Sequence, residues 1–177
     1  NTLATVQSIA AQTGRSARGE ADFRKDFEAR LIALSQTHNL LTRDSWRGAE
    51  LRQVLDAEIA PYRARDRFTI EGPSLYLPPY AALALGMAFH ELATNAAKHG
   101  ALSTPEGRVA VRWTVENERL VLTWEESGGP PICAPPTRQG FGTRLIAKGL
   151  PGELRGKADL TYAPEGFRYR LDVPCPA

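Results

Sequence analysis

The spacing of apolar residues changes character near residue 60 of this 177-residue chain. Before that point, apolar residues recur every three or four positions, which is the period of helices that bury one face. After it, several short runs alternate apolar and polar residues, which predicts strands, and one long apolar helix lies among them. We therefore predict an α+β fold, with a helical part over residues 1–60 and an α/β sandwich over residues 61–177 in which helices cover one mixed sheet.

The first 60 residues predict an antiparallel helical hairpin and a connecting helix. The helices are expected over 1–13, 20–42 and 46–60, with a flexible break at Gly14–Gly19. Their predicted apolar stripes are Leu3, Val6, Ala10 and Thr13; then Phe23, Phe27, Leu31, Leu34, His38 and Leu41; then Leu51, Val54, Leu55 and Ile59. An isolated hairpin leaves its seam half covered, so we expect it to pack in a homodimer or on another surface of the same chain.

The remainder of the chain predicts strands and helices in mixed order. Pro78 and Pro79 are expected to open the long apolar helix, since proline is tolerated in a first helical turn, and Gly100 is expected to cap its end. The predicted elements are a strand at 67–71, the helix at 80–98, a hairpin of strands 108–116 and 119–124, a loop rich in glycine and proline at 128–142, a short helix at 143–150 and a final hairpin of 158–162 and 167–173.

Charge and cysteine content narrow the class of partner. The 22 basic and 20 acidic residues give a formal net charge of +2, which does not favour nucleic acid or an anionic membrane surface. Cys133 and Cys175 form no CxxC pair, so we expect free thiols in a reducing cytoplasm.

No apolar run reaches the length of a membrane span. The chain opens without Met inside a helical pattern, so we expect a longer protein that could carry a membrane anchor elsewhere.

The long helix carries a first cluster of chemically useful side chains, in His90–Gly100. Glu91, Asn95 and Lys98 are spaced at i, i+4 and i+7 and therefore share one face. An amide oxygen suits Mg²⁺ as a neutral ligand, a lysine attracts phosphate, and a carboxylate can orient or deprotonate a nucleophile. Taken alone, the same face is also typical of a solvent-exposed polar helix.

Two segments with glycines follow. In Trp124–Pro131, acidic residues end a strand and glycines come next, so a carboxylate there can accept from the amino group of adenine while the backbone approaches the base closely. Gly140–Thr143 leads into a helix, whose free N–H groups and dipole favour phosphate. The first segment alone is equally compatible with a tight turn, and a lone GxG is common and weak evidence. The order and spacing of all three clusters strengthen the signal.

The three clusters together resemble the N, G1 and G2 boxes of the GHKL ATP-binding superfamily, and most closely those of the HWE histidine kinases. The histidine and the Trp-x-Glu that give this family its name are matched by His90, Trp124 and Glu126, and Gly-Gly-Pro-Pro follows at the matching place. The resemblance runs from Asn1 to Pro174. It implies a GHKL (Bergerat-type) sandwich preceded by part of the dimerisation and phosphoacceptor hairpin.

The resemblance also implies roles for individual residues. Asn95 matches the Mg²⁺ ligand, Glu91 the general base or polariser, His90 an orienting residue beside the nucleotide, and Glu126 the adenine-binding acid. The implied ATP-binding set is Asn95, Lys98, His99, Trp124, Glu126, Gly128, Gly129, Gly140, Gly142 and Thr143, with Glu91 and His90 as the catalytic residues. A short lid over the nucleotide is expected at Pro131–Gln139.

By the same resemblance, the opening residues match the stretch just after the family's phosphoacceptor motif, so the acceptor histidine is expected upstream of Asn1. The implied function is a sensor histidine kinase of a bacterial two-component system, which passes the γ-phosphoryl group of Mg-ATP to that histidine and then to a response-regulator aspartate. An upstream sensor domain would control it, and the present residues should bind ATP without autophosphorylating. Three alternatives stay open: a GHKL module that grips a protein partner, a histidine phosphotransferase with a degenerate pocket, and an ATPase of the gyrase or Hsp90 kind.

Overall fold

The computed structural model describes residues 2–17, 19–43, 47–63, 66–134 and 140–176. The helices are α1 (Thr2–Ser16), α2 (Glu20–Arg43), α3 (Leu51–Ile59), α4 (Pro79–Lys98), α5 (Phe141–Arg144) and α6 (Leu150–Glu153). The strands are β1 (Ala49–Glu50), β2 (Phe68–Glu71), β3 (Tyr76–Leu77), β4 (Arg108–Glu116), β5 (Arg119–Ser127), β6 (Lys157–Ala163) and β7 (Gly166–Pro174). Turns of 3₁₀ helix follow α3 and α4, and a π-helical turn, Leu145–Gly149, joins α5 to α6.

The main sheet has five strands in the order β2-β4-β5-β7-β6. Strand β2 is parallel to β4 and the other neighbours are antiparallel, so the sheet is mixed, as predicted. Asn117 and Glu118 connect β4 to β5 with φ values of 50° and 59°, the geometry of a tight hairpin turn. Strand β5 continues past the predicted end at Trp124 because its register with β4 runs on until Ser127 pairs with Arg108.

Alternate residues of the central strands form the core together with α3 and α4. The fully buried strand residues are Val111, Leu120, Leu122, Trp124, Leu171 and Val173. The predicted stripe of α3 is confirmed, since all four of its residues are inaccessible to solvent. Helix α4 is apolar on two sides because Phe89 packs in this core while Met87 packs against the hairpin. Its observed bounds, Pro79 to Lys98, agree with the prediction.

Two local predictions are corrected by the structure. The third helix begins at Leu51 instead of residue 46, because Ala49 and Glu50 pair with β3 in a second, two-stranded sheet that is too short to leave a periodic signal. Residues 44–46 lie outside the described part of the chain. Gly100 follows α4 with φ of −106°, so it is not a left-handed cap, and a Cβ there would instead collide with the Glu126 carboxylate.

The hairpin exists, but its buried face differs from the prediction. Helix α1 continues through Gly14 to Ser16, so the predicted break shortens, and the ring of Phe23 lies 3.8 Å from where a Cβ on Gly14 would stand. The buried residues of α1 are Ile9 and Thr13, whereas Leu3 is 70% exposed. Of the predicted stripe, Thr13 is therefore buried as expected, Val6 and Ala10 are half-buried, and Leu3 is exposed.

Helix α2 buries Leu34 and Leu41 of its predicted stripe, together with residues that lie outside that stripe. It buries Arg30, Ala33, Leu34, Thr37 and Leu41, while Leu31 is 40% exposed. The buried side packs on α4 of the same chain, where a Cβ on Gly86 would collide with the Thr37 side chain. The hairpin seam is therefore covered by the chain itself, which is the second of the two predicted arrangements. None of the helices within the described ranges is long and apolar enough to cross a bilayer.

Candidate functional site

A cavity of about 580 Å³ opens between α2, α4, the end of β5 and α5. Most of the predicted site residues line it: His90, Glu91, Asn95, Lys98, His99, Glu126, Gly140, Gly142 and Thr143. The predicted residues that do not line it are Trp124, Gly128 and Gly129. The three separated sequence clusters therefore meet at one place in the fold.

Glu91 lies at the bottom of this cavity, where both of its carboxylate oxygens have close neighbours. Its side chain is 7% exposed, and Oε1 accepts a hydrogen bond of 2.7 Å from Arg30 Nε of the hairpin. Oε2 lies against the backbone of Gly142, where an added Cβ would collide with it. Gly142, which the resemblance places in the ATP-binding set, thus gives room to the carboxylate of Glu91.

Glu126 is held at the opposite wall by two donors. Oε2 accepts a 2.8 Å hydrogen bond from the backbone N–H of Ala101, and Oε1 accepts one of 3.1 Å from the indole Nε1 of Trp124. Burial raises the pKa of the Glu126 carboxyl above its ordinary 4.5, and the two hydrogen bonds oppose that shift. Trp124 is fully buried and so does not stack in the cavity; it orients the acid two residues further along its own strand. The Trp-x-Glu pattern is therefore one hydrogen-bonded unit.

A second buried charge stands behind His90. Glu58 of α3 has a side chain only 1% exposed, and its Oε2 lies 3.3 Å from His90 Nδ1. Its other oxygen accepts a long hydrogen bond of 3.4 Å from Thr37 Oγ1 of α2. His90 is thus placed at the cavity wall by residues of the hairpin and the connecting helix.

Asn95, Lys98 and His99 occupy the last turn of α4 and the residue after it. Lys98 Nζ lies 3.6 Å from Asp26 Oδ1 of α2, and both side chains are partly exposed. Within the described residues, no group of three His, Cys, Asp or Glu side chains could hold a metal ion. A magnesium ion at this site would therefore rely on the Asn95 amide oxygen together with phosphate oxygens and water, which is a usual ligand set for Mg²⁺. The residues present fit that group.

The glycines of the middle cluster shape a turn beside the cavity. Gly128 has φ of 69°, and a Cβ on Gly129 would stand 2.8 Å from the backbone of Ala101. The predicted short helix is longer than expected, running as α5, the π-helical turn and α6. Of the predicted lid, residues 135–139 lie outside the described part of the chain, and Cys133 beside them is a free thiol, as is Cys175.

The sequence prediction missed the contribution of the hairpin. Asp26, Ala29 and Arg30 of α2 form one wall of the cavity. No local motif predicts these residues, because they come close to α4 only when the hairpin packs on that helix. Phe141 was also missed as a lining residue, although it stands inside the predicted glycine cluster.

Comparison with known proteins agrees with this architecture. The family model of the HWE histidine kinases matches residues 1–74. A blue-light-activated histidine kinase of Brucella anthropi is 41% identical over 99% of this chain and 36% of its own length, and one of Brucella ovis is 37% identical over 99% and 37%. The chain thus spans little more than a third of the length of these relatives.

Solved structures share the fold. The histidine kinase domain of the Erythrobacter litoralis EL346 blue-light activated histidine kinase superposes with a TM-score of 0.67 at 19% identity, covering 98% of this chain and 84% of that one. The catalytic domain of histidine kinase ThkA gives 0.56 at 15% identity, covering 73% and 96%. These identities establish the fold alone, which is that of GHKL histidine kinase domains. Together with the family match and the relatives, they place this chain in the HWE histidine kinase family.

Proposed function

We propose that this chain is the ATP-binding region of a sensor histidine kinase, with Mg-ATP bound in the cavity between α2, α4 and α5. The observation that carries the proposal is the convergence of residues from three separate sequence clusters on that one cavity. The full protein would pass the γ-phosphoryl group to a histidine upstream of Asn1 and then to an aspartate of a response regulator. A cytoplasmic location and an upstream sensor domain belong to the same proposal, as does a homodimer formed through the side of the hairpin that does not pack on α4.

The proposed chemistry follows from the groups that line the cavity. Glu126, fixed by Trp124 and Ala101, can still accept a hydrogen bond from the amino group of adenine, because each carboxylate oxygen has more than one acceptor site. Lys98 would meet the phosphates, and Asn95 would hold a magnesium ion that neutralises their charge. Phosphoryl transfer depends mainly on positioning and on such neutralisation.

Glu91 is the candidate for handling the incoming nucleophile. In this proposal its carboxylate would orient the attacking imidazole nitrogen or accept its proton, as the one carboxylate that stands on the same helix face as Asn95 and Lys98. His90 would act beside it, with the buried carboxylate of Glu58 at 3.3 Å from its Nδ1.

Calorimetric titration of ATP with and without Mg²⁺ tests the proposal on the unsubstituted chain, Asn95→Ala and Asn39→Ala. Asn39 is exposed on α2 and does not line the cavity, so it controls for the loss of an amide side chain. We expect magnesium-dependent ATP binding by the unsubstituted chain and by Asn39→Ala. Asn95→Ala should lower the affinity for Mg-ATP by about tenfold or more, because it removes one metal ligand. Absence of binding by the unsubstituted chain, or unchanged magnesium dependence in Asn95→Ala, would contradict the proposal.

A further inference from the structure

Arg30 of the hairpin reaches into the cavity and makes three contacts there with different elements. Its Nε donates to Glu91 Oε1 of α4 at 2.7 Å, and Nη1 donates to Thr13 Oγ1 of α1 at 3.0 Å. The guanidinium carbon stands 4.2 Å from the ring centroid of Phe141 in α5, which is within the range of a cation–π contact. Arg30 therefore ties both hairpin helices to the two helices that frame the cavity.

The pair formed by Arg30 and Glu91 is almost shielded from water. The two side chains are 9% and 7% exposed, in contrast to the exposed pair of Arg24 and Glu28 on the same hairpin. A carboxylate buried to this extent is strongly destabilised when its partner is removed, because the carboxylate is left without a counter-charge. Glu91 consequently depends on the hairpin for its counter-charge and its orientation.

The charges that line the cavity mean that the pair of Arg30 and Glu91 affects the binding of an anion. Three carboxyl groups line the described wall, those of Asp26, Glu91 and Glu126, against the cationic side chains of Arg30 and Lys98. A polyphosphate that enters the cavity is repelled by every carboxylate left without a partner. Neutralisation of Glu91 by Arg30 therefore favours the entry of the anion.

We propose that Arg30 is a positioning residue of this pocket: it neutralises and orients Glu91 from the hairpin side, so that the pocket accepts a nucleotide triphosphate well only while the hairpin is docked on α4. The inference rests on the proposed function, because it concerns the same pocket. Since Arg30 acts through Glu91, nucleotide binding and hairpin docking are thermodynamically coupled, and each strengthens the other by the same factor. The contacts of Thr37 beside Gly86 and of Asp26 beside Lys98 belong to the same docked arrangement.

The experiment measures Mg-ATP affinity in the whole chain for Arg30→Met, Arg30→Lys, the double variant Arg30→Met/Glu91→Gln, and Arg24→Met as the matched control. Arg24 stands on the same helix with its side chain 80% exposed, and it forms only a loose 3.9 Å pair with Glu28. Methionine keeps the apolar stem of arginine and removes the charge. Thermal melts of every variant establish that the fold is intact at the temperature of the titration.

We expect Arg30→Met to weaken Mg-ATP binding by about tenfold or more, and Arg24→Met to leave it within about twofold. Arg30→Lys should recover part of the loss. The double variant should bind at least several-fold more tightly than Arg30→Met, because the carboxylate that needed neutralising is gone; a protein in which Arg30 only stabilises the fold would not regain affinity in this way.

Two results would overturn the inference. One is an affinity of Arg30→Met equal to that of Arg24→Met. The other is a double variant as weak as Arg30→Met, which would mean that the guanidinium contacts the nucleotide itself. Failure of the proposed function is distinguishable from both, because the unsubstituted chain would then show no magnesium-dependent binding at all.

Discussion

Replacement of Trp124 by Phe tests whether the Trp-x-Glu pattern is a hydrogen-bonded unit. The indole Nε1 of Trp124 donates to Glu126 Oε1 at 3.1 Å inside the core, where Trp124 is fully buried. Phenylalanine keeps an aromatic ring in the core and removes that donor. Trp113 provides a matched control on the neighbouring strand, since it is also buried and its Nε1 donates to the carbonyl of Pro73 at 2.8 Å.

The expected difference in stability between the two variants follows from the charge of the hydrogen-bond acceptor, which is a carboxylate for Trp124 and a backbone carbonyl for Trp113. A hydrogen bond to a charged group contributes about 1.5–3 kcal/mol, and one between neutral groups about 0.5–1.5 kcal/mol. Both variants lose the same atoms from the ring system, so the cavity cost is similar in each. Trp124→Phe should therefore lower the free energy of unfolding by about 1 kcal/mol more than Trp113→Phe, or roughly 2–4 °C in Tm for a chain of this size.

Two measurements separate this mechanism from a general packing defect. Urea unfolding gives the stability difference, and calorimetric titration with ATP and GTP gives base selectivity. Because Glu126 is the proposed adenine acceptor, Trp124→Phe should reduce the preference for ATP, whereas Trp113→Phe should retain it. The pKa of Glu126 should also rise further in Trp124→Phe, since that hydrogen bond lowers it. Equal stability and equal base selectivity of the two variants would refute the reasoning.

Two further predictions concern the same cavity. Because burial raises the pKa of Glu126 above 4.5, the folded chain binds the proton of this carboxyl more tightly than the unfolded chain does. The contribution of Glu126 to stability is therefore complete below pH 4.5 and is lost as the pH rises through the raised pKa. Urea unfolding across this range should show the decline, which Glu126→Gln removes and the exposed Glu116→Gln does not; an unchanged profile in Glu126→Gln would contradict it. Gly142→Ala should weaken both stability and Mg-ATP affinity more than Gly140→Ala, by about 1–3 kcal/mol in unfolding experiments, because its Cβ collides with Glu91 whereas nothing lies within 4 Å at Gly140. Indistinguishable glycine variants would argue against a tight fit at Gly142.

The sequence by itself determined the features that depend on neighbours along the chain. Alternation in β4, β5 and β7 set which residues enter the core, because side chains of a strand point to opposite faces in turn. The prolines at the start of α4 set its first turn. The shared face of Glu91, Asn95 and Lys98 followed from the helical period alone. The order of the three clusters was sufficient to indicate both the family and the place of the cavity.

Only the tertiary structure decided which buried charges become partners. Arg30 and Glu91 are 61 positions apart, and the predicted apolar stripe of α2 did not include Arg30. The observed buried face of α2 keeps Leu34 and Leu41 of the predicted stripe, but it includes Arg30 and leaves Leu31 exposed. The contact between Glu58 and His90 was not predicted for the same reason. A charge can be buried only where an opposite charge or a donor meets it, and that meeting depends on how the hairpin packs on α4, which no local pattern records.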